Sequence, residues 1–324
     1  MTSESSKIGR RSVLKSALLA AIPAAAARAT TTASRPARSK RAFTMDLTPG
    51  AIGVNVPLPR LIDLAAANGF ESIAPDAGAL SKLDPAGIEA LQATLRSKGL
   101  VWGAAGLPVD FRGDDDTFRK GLSALPAQSK TLQTAGVTRV GTWLSPAHKT
   151  LTYRANFERH TTRLREVATI LGDHGLRFGL EYVGPKTSWS AARYPFIHTL
   201  AETRELIAAI DRKNVGLVLD SWHWYTAGES GDDIKTLTNA DVVACDLNDA
   251  PSGIPVDQQK DLTRALPAST GVIDVKTFLE ALVAIGYDGP VRAEPFDNVL
   301  NALPPEESVA RAAAAMKAAF ALIS

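Results

Sequence analysis

Four short apolar runs in this 324-residue chain each end on an acid. Glu181 closes RFGLEY, Asp220 closes VGLVLD, Asp246 sits in VVACDL and Glu294 in VRAEPF. Side chains alternate along a strand, so each acid shares a face with the residue two before it: Gly179, Val218, Ala244 and Arg292. An acid in an otherwise apolar buried strand is costly unless it is paired or coordinates a metal. Four converging acids would repel strongly without a cation. An oxygen-rich set suits Mg²⁺, Mn²⁺ or a similar divalent ion rather than a thiolate-loving one. The plainer reading, that each acid is capped by Arg or Lys, stays open at this level.

Other residues near these runs could bind a substrate. His223 stands three after Asp220, Lys186 just past Glu181, and Asn248 on the same face as Asp246. Arg264 lies in a long polar stretch, DAPSGIPVDQQKDLTRALPASTG. Trp143 and His148 follow the fourth strand-like run, and Trp189, Trp222 and Trp224 cluster after the fifth and sixth. Such aromatics could form a stacking wall for a ring-shaped substrate; ordinary loop packing explains them equally well. Ser145 and Ser221 lack the nucleophile-elbow setting. Cys245, next to Asp246, should point away from the acids.

Elements that would position these residues follow from the pattern. From Phe43 onward short strand-like runs alternate with longer helix-like ones, which argues for a parallel sheet with crossover helices. Strands are expected near Ile52–Asn55, Ser72–Pro75, Val101–Ala105, Arg139–Trp143, Arg177–Tyr182, Val215–Asp220, Val242–Leu247 and Val291–Glu294. Helices are expected near 59–68, 85–98, 115–135, 154–174, 200–211, 231–237, 274–285 and 305–322. Eight pairs are the count for a single (β/α)8 TIM barrel over 43–324. Asp84-Pro85 and Asp274 look like helix starts, and Gly69 and Gly286 like helix stops. A doubly wound fold would want a Gly-rich phosphate turn after the first strand, and GAIGVN is not one. The polar stretch from 249 to 273 would fall on the C-terminal face, as a lid or substrate arm.

Residues 1–29 have a basic start with Arg10-Arg11, an apolar Ala-rich run and the small-x-small site Ala27-Arg28-Ala29. That order predicts a twin-arginine signal peptide, hence export to the periplasm or outside the cell by the twin-arginine translocase. Its apolar run is too short for a membrane anchor. Residues 30–42 read as a disordered basic linker. Residues 1–42 hold nine Lys/Arg and one acid, so the remainder carries 27 basic and 33 acidic residues. The basic balance belongs to the leader, and the folded part gives no footprint for nucleic acid. No Arg/Lys cluster or Gly-rich turn announces a phosphate site, which favours a neutral substrate. A single cysteine excludes an intrachain disulfide.

GLEYVGP with Glu181, LDSWH with Asp220 and His223, DLNDAPSG after the seventh strand and GYDGPVRAEPF with Glu294 make the resemblance specific. Over nearly all of 43–324 the chain resembles the sugar phosphate isomerase/epimerase family, the xylose-isomerase-like barrels. These include tagatose-type epimerases, hydroxypyruvate isomerases and inosose dehydratases. The resemblance implies metal ligands at Glu181, Asp220 and Glu294 and a substrate-contacting His223. It departs at Asp246, where the family usually has His, so the site would become all-oxygen; Mn or Mg would suit it, with Co or Zn as alternatives. It further implies a small-molecule sugar substrate and a metal-stabilised enediolate, with Glu181 and Glu294 as base and acid. Isomerisation and epimerisation share that intermediate. So does a lyase reaction of the inosose-dehydratase or 3-keto-glycoside-cleaving kind, and a non-catalytic carbohydrate-binding barrel is the remaining alternative. A trinuclear zinc endonuclease of the same fold would need more than the five histidines present. The reading leaves room for a homo-oligomer.

Overall fold

Among the described residues, nine strand segments and eight crossover helices, seven of them of ten residues or more, close into one barrel. The computed structural model describes residues 41–324, so the signal peptide and all of the linker but its last two residues lie outside the described residues. The segments are β1 (Thr44–Leu47), β2 (Ser72–Ile73), β3 (Val101–Trp102), β4 (Ala105–Gly106), β5 (Arg139–Trp143), β6 (Arg177–Glu181), β7 (Val215–Asp220), β8 (Val242–Leu247) and β9 (Pro290–Ala293). Their order is β3-β2-β1-β9-β8-β7-β6-β5-β4, with parallel pairing throughout. β3 and β4 are halves of one strand parted at Gly103-Ala104, which joins the two ends of the sheet and makes eight barrel strands. Glycine is required at the break, because a Cβ on Gly103 would collide with the buried Asp46 carboxylate.

The crossovers are α1 (Leu58–Asn68), α2 (Pro85–Ser97), α3 (Asp115–Thr134), α4 (Tyr153–Asp173), α5 (Leu200–Ile210), α6 (Gly231–Lys235), α7 (Val275–Ala284) and α8 (Pro305–Ala321). Asp84, Asp114, Thr152, Thr199 and Asp274 each cap a helix by accepting a first-turn N–H. Gly69 stops α1 at φ 77°.

The expected first strand, Ile52–Asn55, is wrong. Pro49–Ile52 is a single 3-10 turn closed by Gly53 at φ 70°, and the strand lies earlier, at Thr44–Leu47. Proline without an N–H and glycine in a left-handed conformation both break a ladder. The displacement matters because it exposes a further inward acid: Asp46, Arg292, Asp246 and Asp220 pair in register across β1, β9, β8 and β7. Beneath them Ala104, Val218 and Ala244 form a small buried cluster.

The stretch after β8 is a fastened loop. Asp249 and Ala265 exchange both backbone hydrogen bonds, at 3.0 and 2.8 Å. The buried Asp249 carboxylate accepts N–H bonds from Ala250, Thr270, Gly271 and Ile273 at 2.8–3.0 Å. Burial pushes its pKa up, but the Ile273, Thr270 and Gly271 donors outweigh that and hold it below the usual range. This staple sets the position of Arg264, one residue before the bridge. Asp249→Ala should therefore lose roughly 2–4 kcal/mol in urea unfolding and strip hydrogen-exchange protection from residues 250–273. A loss under about 1 kcal/mol with protection intact would contradict this role.

Candidate active site

β6, β7 and β8 bring Glu181, Asp220 and Asp246 to the C-terminal mouth, and Glu294 follows directly on β9. One oxygen from each of the four lies within 4.8 Å of the others. Two arginines enter this ring. Arg292, in register with Asp246 on the neighbouring strand, takes both Asp246 oxygens in a bidentate pair. Arg264 reaches down from the stapled loop. Its Nη1 donates to Asp220 Oδ2 at 2.7 Å and Glu294 Oε2 at 3.0 Å, and its Nη2 to Asp261 Oδ1 at 2.8 Å. The guanidinium sits between Phe296 and Trp222, 4.6 and 5.6 Å from the ring centroids.

Four strand-end acids against two arginines leave an excess of negative charge in a buried place. Burial, then Asp246, Glu294 and Asp220, push the Glu181 pKa well above the usual range. Glu294 rises to about 8, by burial and then Asp246, against the pull of Arg264 and Arg292. Burial also raises Asp246, with Arg292 opposing. Glu181 Oε1 is buried and has no hydrogen-bond partner.

His223 lies beside this ring, 2% exposed. Its Nδ1 accepts the Gly184 N–H at 3.2 Å, which places the proton on Nε2. That N–H is 3.9 Å from oxygens of Glu181, Asp220 and Asp261. The Arg264 Nη2 contact at 3.3 Å brings two donors together in this tautomer, so it is not a hydrogen bond. Burial first and Arg264 second hold the His223 pKa down to about 3, so the ring is neutral.

Asn248 ties three strand tops together. Its Nδ2 donates to Asp220 Oδ1 at 3.0 Å and its Oδ1 accepts the Glu294 N–H at 3.0 Å. Ser221 Oγ accepts the Asn248 N–H at 2.8 Å and donates to its carbonyl at 3.1 Å. Asn248 is therefore fully buried among the acids rather than open to a ligand.

A cavity of about 350 Å³ opens over the site, walled by Trp143, His223, Arg264, Phe296, Glu181 and Glu294 among others. Of the other residues singled out in the sequence, Lys186 lies outside it, pairing with Asp257 at 2.7 Å. Trp189 stacks on His198, and Trp224 packs against Phe278 in the core. His148 lines a separate cavity that shares Trp143 as a wall. Sequence reasoning missed Asp261 and the pairing role of Arg292. Their signals were spacings, Asp261 three before Arg264 and Arg292 one pleat below Glu294.

Residues 62–319 match the family described as the xylose isomerase-like TIM barrel. The chain is 25% identical over 197 residues to an inosose isomerase of Bacillus velezensis, covering 60% of this chain and 67% of that protein. It is 29% identical over 142 residues to a 3-dehydroshikimate dehydratase of Pseudomonas aeruginosa, covering 44% of this chain and 21% of that one. Among solved structures, a xylose isomerase domain protein from Alicyclobacillus acidocaldarius superposes with TM-score 0.75 at 31% identity, over 87% of this chain and 99% of that one. The IOLI protein, solved with a binding zinc atom, shares the fold at TM-score 0.72 and 20% identity, over 87% and 99%. Barrel closure, the acidic strand ends and this family match agree: the chain belongs to the xylose isomerase-like TIM barrel family.

Proposed function

We propose that the chain is an exported, divalent-metal-dependent isomerase or epimerase of a sugar or keto-sugar. It would move a proton at a carbon next to a carbonyl. The observation that carries the reading is the convergence of four carboxylates within 4.8 Å, three of them buried and Glu294 partly so, with acids outnumbering the two arginines that enter the ring. Export by the twin-arginine route rests on the leader sequence alone.

The donor set fits a divalent ion. Glu181 Oε1 is an orphaned buried acceptor, and the ring is all oxygen, which favours Mn²⁺ or Mg²⁺ over zinc. Glu181, Asp220 and Glu294 would hold the ion, while Asp246 stays with Arg292 and serves the charge balance. A bound divalent ion supplies Lewis acidity to a carbonyl and its neighbouring hydroxyl, lowering the cost of the negative charge that develops as the α-proton leaves.

The chain's own groups do the rest. Glu181, with one oxygen unclaimed, is the base that takes the α-proton. Glu294 returns a proton from the other wall. His223 offers its Nε2–H to a substrate oxygen, held in that tautomer by Gly184. Arg264 aligns Asp220 and Glu294 by donating to both from one nitrogen. Phe296 and the half-exposed Trp143 exclude water from two sides of the cavity. Elimination from the same intermediate is the second reading, favoured by the likeness to 3-dehydroshikimate dehydratase.

Incubation of the Mn²⁺-loaded protein with a sugar panel in D₂O should place deuterium at the α-carbon. Glu181→Gln should slow that exchange by roughly 10²-fold or more. A dehydrated product would select elimination; no exchange with any sugar or metal would contradict the proposal.

The pH behaviour follows from Glu294. Its folded pKa of about 8 exceeds its ordinary 4.5, so the folded protein binds the extra proton between those values. That contribution to stability is full below 4.5 and is lost as pH rises through 8. Chelator-treated protein should therefore lose stability as pH rises through that window, by up to ~1.4 kcal/mol per pH unit. Glu294→Gln should flatten the slope. Equal slopes for both proteins would show that Glu294 is not the group that titrates.

A further inference from the structure

The walls of the cavity over the carboxylates change character from its floor to its opening. Glu181, His223 and Arg264 are buried and polar. Trp143 and Leu262 are apolar, and they are 46% and 69% exposed. Phe296 is half-buried. Three separate segments supply this apolar side: the end of β5, the loop after β8 and the stretch after β9.

Each of the three is held in place. Arg112 stacks 4.2 Å from the Trp143 centroid and donates to the Trp143 carbonyl at 2.6 Å. Phe296 has φ 42°, in the left-handed region that bulky residues rarely adopt, and the Arg264 guanidinium lies 4.6 Å from its ring. Leu262 belongs to a turn in which the Thr263 N–H donates to the Lys260 carbonyl at 3.0 Å. That turn is fastened on both sides: Thr187 Oγ1 donates to the Gln259 carbonyl at 2.6 Å, and Arg264 to Asp261 at 2.8 Å. A fastened leucine left open to water forgoes the gain from burying it. One exposed leucine is ordinary, but together with Trp143 and Phe296 round one opening it marks a binding surface. A second protein seated on Trp143 and Leu262 would shut the opening above Glu181 and Glu294. A substituent on the substrate would cover them from within. A flat ring suits an indole and leucine methyls, and a cavity of about 350 Å³ is in the range that holds drug-sized ligands.

We propose that the substrate is a sugar carrying an aromatic substituent, with the sugar over Glu181, His223 and Glu294 and the aromatic ring against Trp143, Leu262 and Phe296. The assignment rests on the proposed proton transfer only in making the sugar the reacting part; the apolar subsite stands on its own groups. Binding energy taken at the opening then holds the sugar over the carboxylates. Trp143 is the one tryptophan among the cavity walls, and its apolar companions come from segments more than a hundred residues further along the chain.

Methyl and phenyl β-D-glucopyranoside share one sugar and differ in the substituent, and they make the test. Calorimetric titration of the full protein with Mn²⁺ present should find the phenyl glucoside bound about tenfold more tightly. Leu262→Ser, at an exposed position where folding is not at stake, should cut that preference to about threefold or less, and Leu262→Phe should keep it. Equal affinities, no binding of either glycoside, or a preference that survives both Leu262→Ser and Trp143→Ala would overturn the subsite. So would a native dimer, seen by sedimentation, that Leu262→Ser dissociates, since a second copy of the chain would then be what covers the surface. A phenyl preference without α-deuterium exchange in any sugar would support the subsite and remove the proton-transfer reading. Exchange with free sugars and no phenyl preference would do the reverse.

Discussion

Four carboxylates at the top of one barrel have to be neutralised, and two arginines, Asn248 and a fastened loop are arranged around that requirement. Desolvating a charge costs several kcal/mol unless a partner offsets it. Here one partner comes from within the sheet and one from outside it. Arg292 is supplied by register, on β9 opposite Asp246. Arg264 is supplied by a loop and has its position set by the Asp249 staple one residue on. Glu181 is left with an unclaimed oxygen, and Glu181 and Glu294 are left with raised pKa values. The site is thus short of positive charge by design of its neighbours, and protons or a divalent ion can make up the difference.

The same residues that balance charge also fix geometry. Asn248 binds Asp220 on one side and the backbone of Glu294 on the other, and Ser221 clasps Asn248 through both backbone groups. The tops of β7, β8 and β9 therefore move together. Gly184 sets the His223 tautomer. Arg292 takes both oxygens of Asp246, so this acid and the base that balances it lie on adjacent strands. Of the two readings of the acids, capping by arginine holds for Asp246, Asp220 and Glu294, while metal ligation is the proposed role of the ring.

The fold was legible because its signals are local. Helix caps at Asp84 and Asp274 and the strand-end acids stand in the chain as contiguous patterns. The first strand was misplaced because Ile52 and Val54 are apolar like a strand, while Pro49 and Gly53 force a turn there. Glu181, Asp220, Asp246 and Glu294 were readable for the same local reason, whereas their partners were not. Arg264 and Arg292 approach from 44 and 46 residues away from Asp220 and Asp246, and only closure of the barrel chooses which acid each one meets.

Diffraction from crystals grown with Mn²⁺ near pH 8, recorded to locate anomalous scatterers, tests the charge-balance account most directly. The account predicts one peak at roughly 2.0–2.6 Å from oxygens of Glu181, Asp220 and Glu294, with Asp246 still paired to Arg292. No peak in the ring, or a peak ligated by Asp246 with Arg292 swung away, would contradict it.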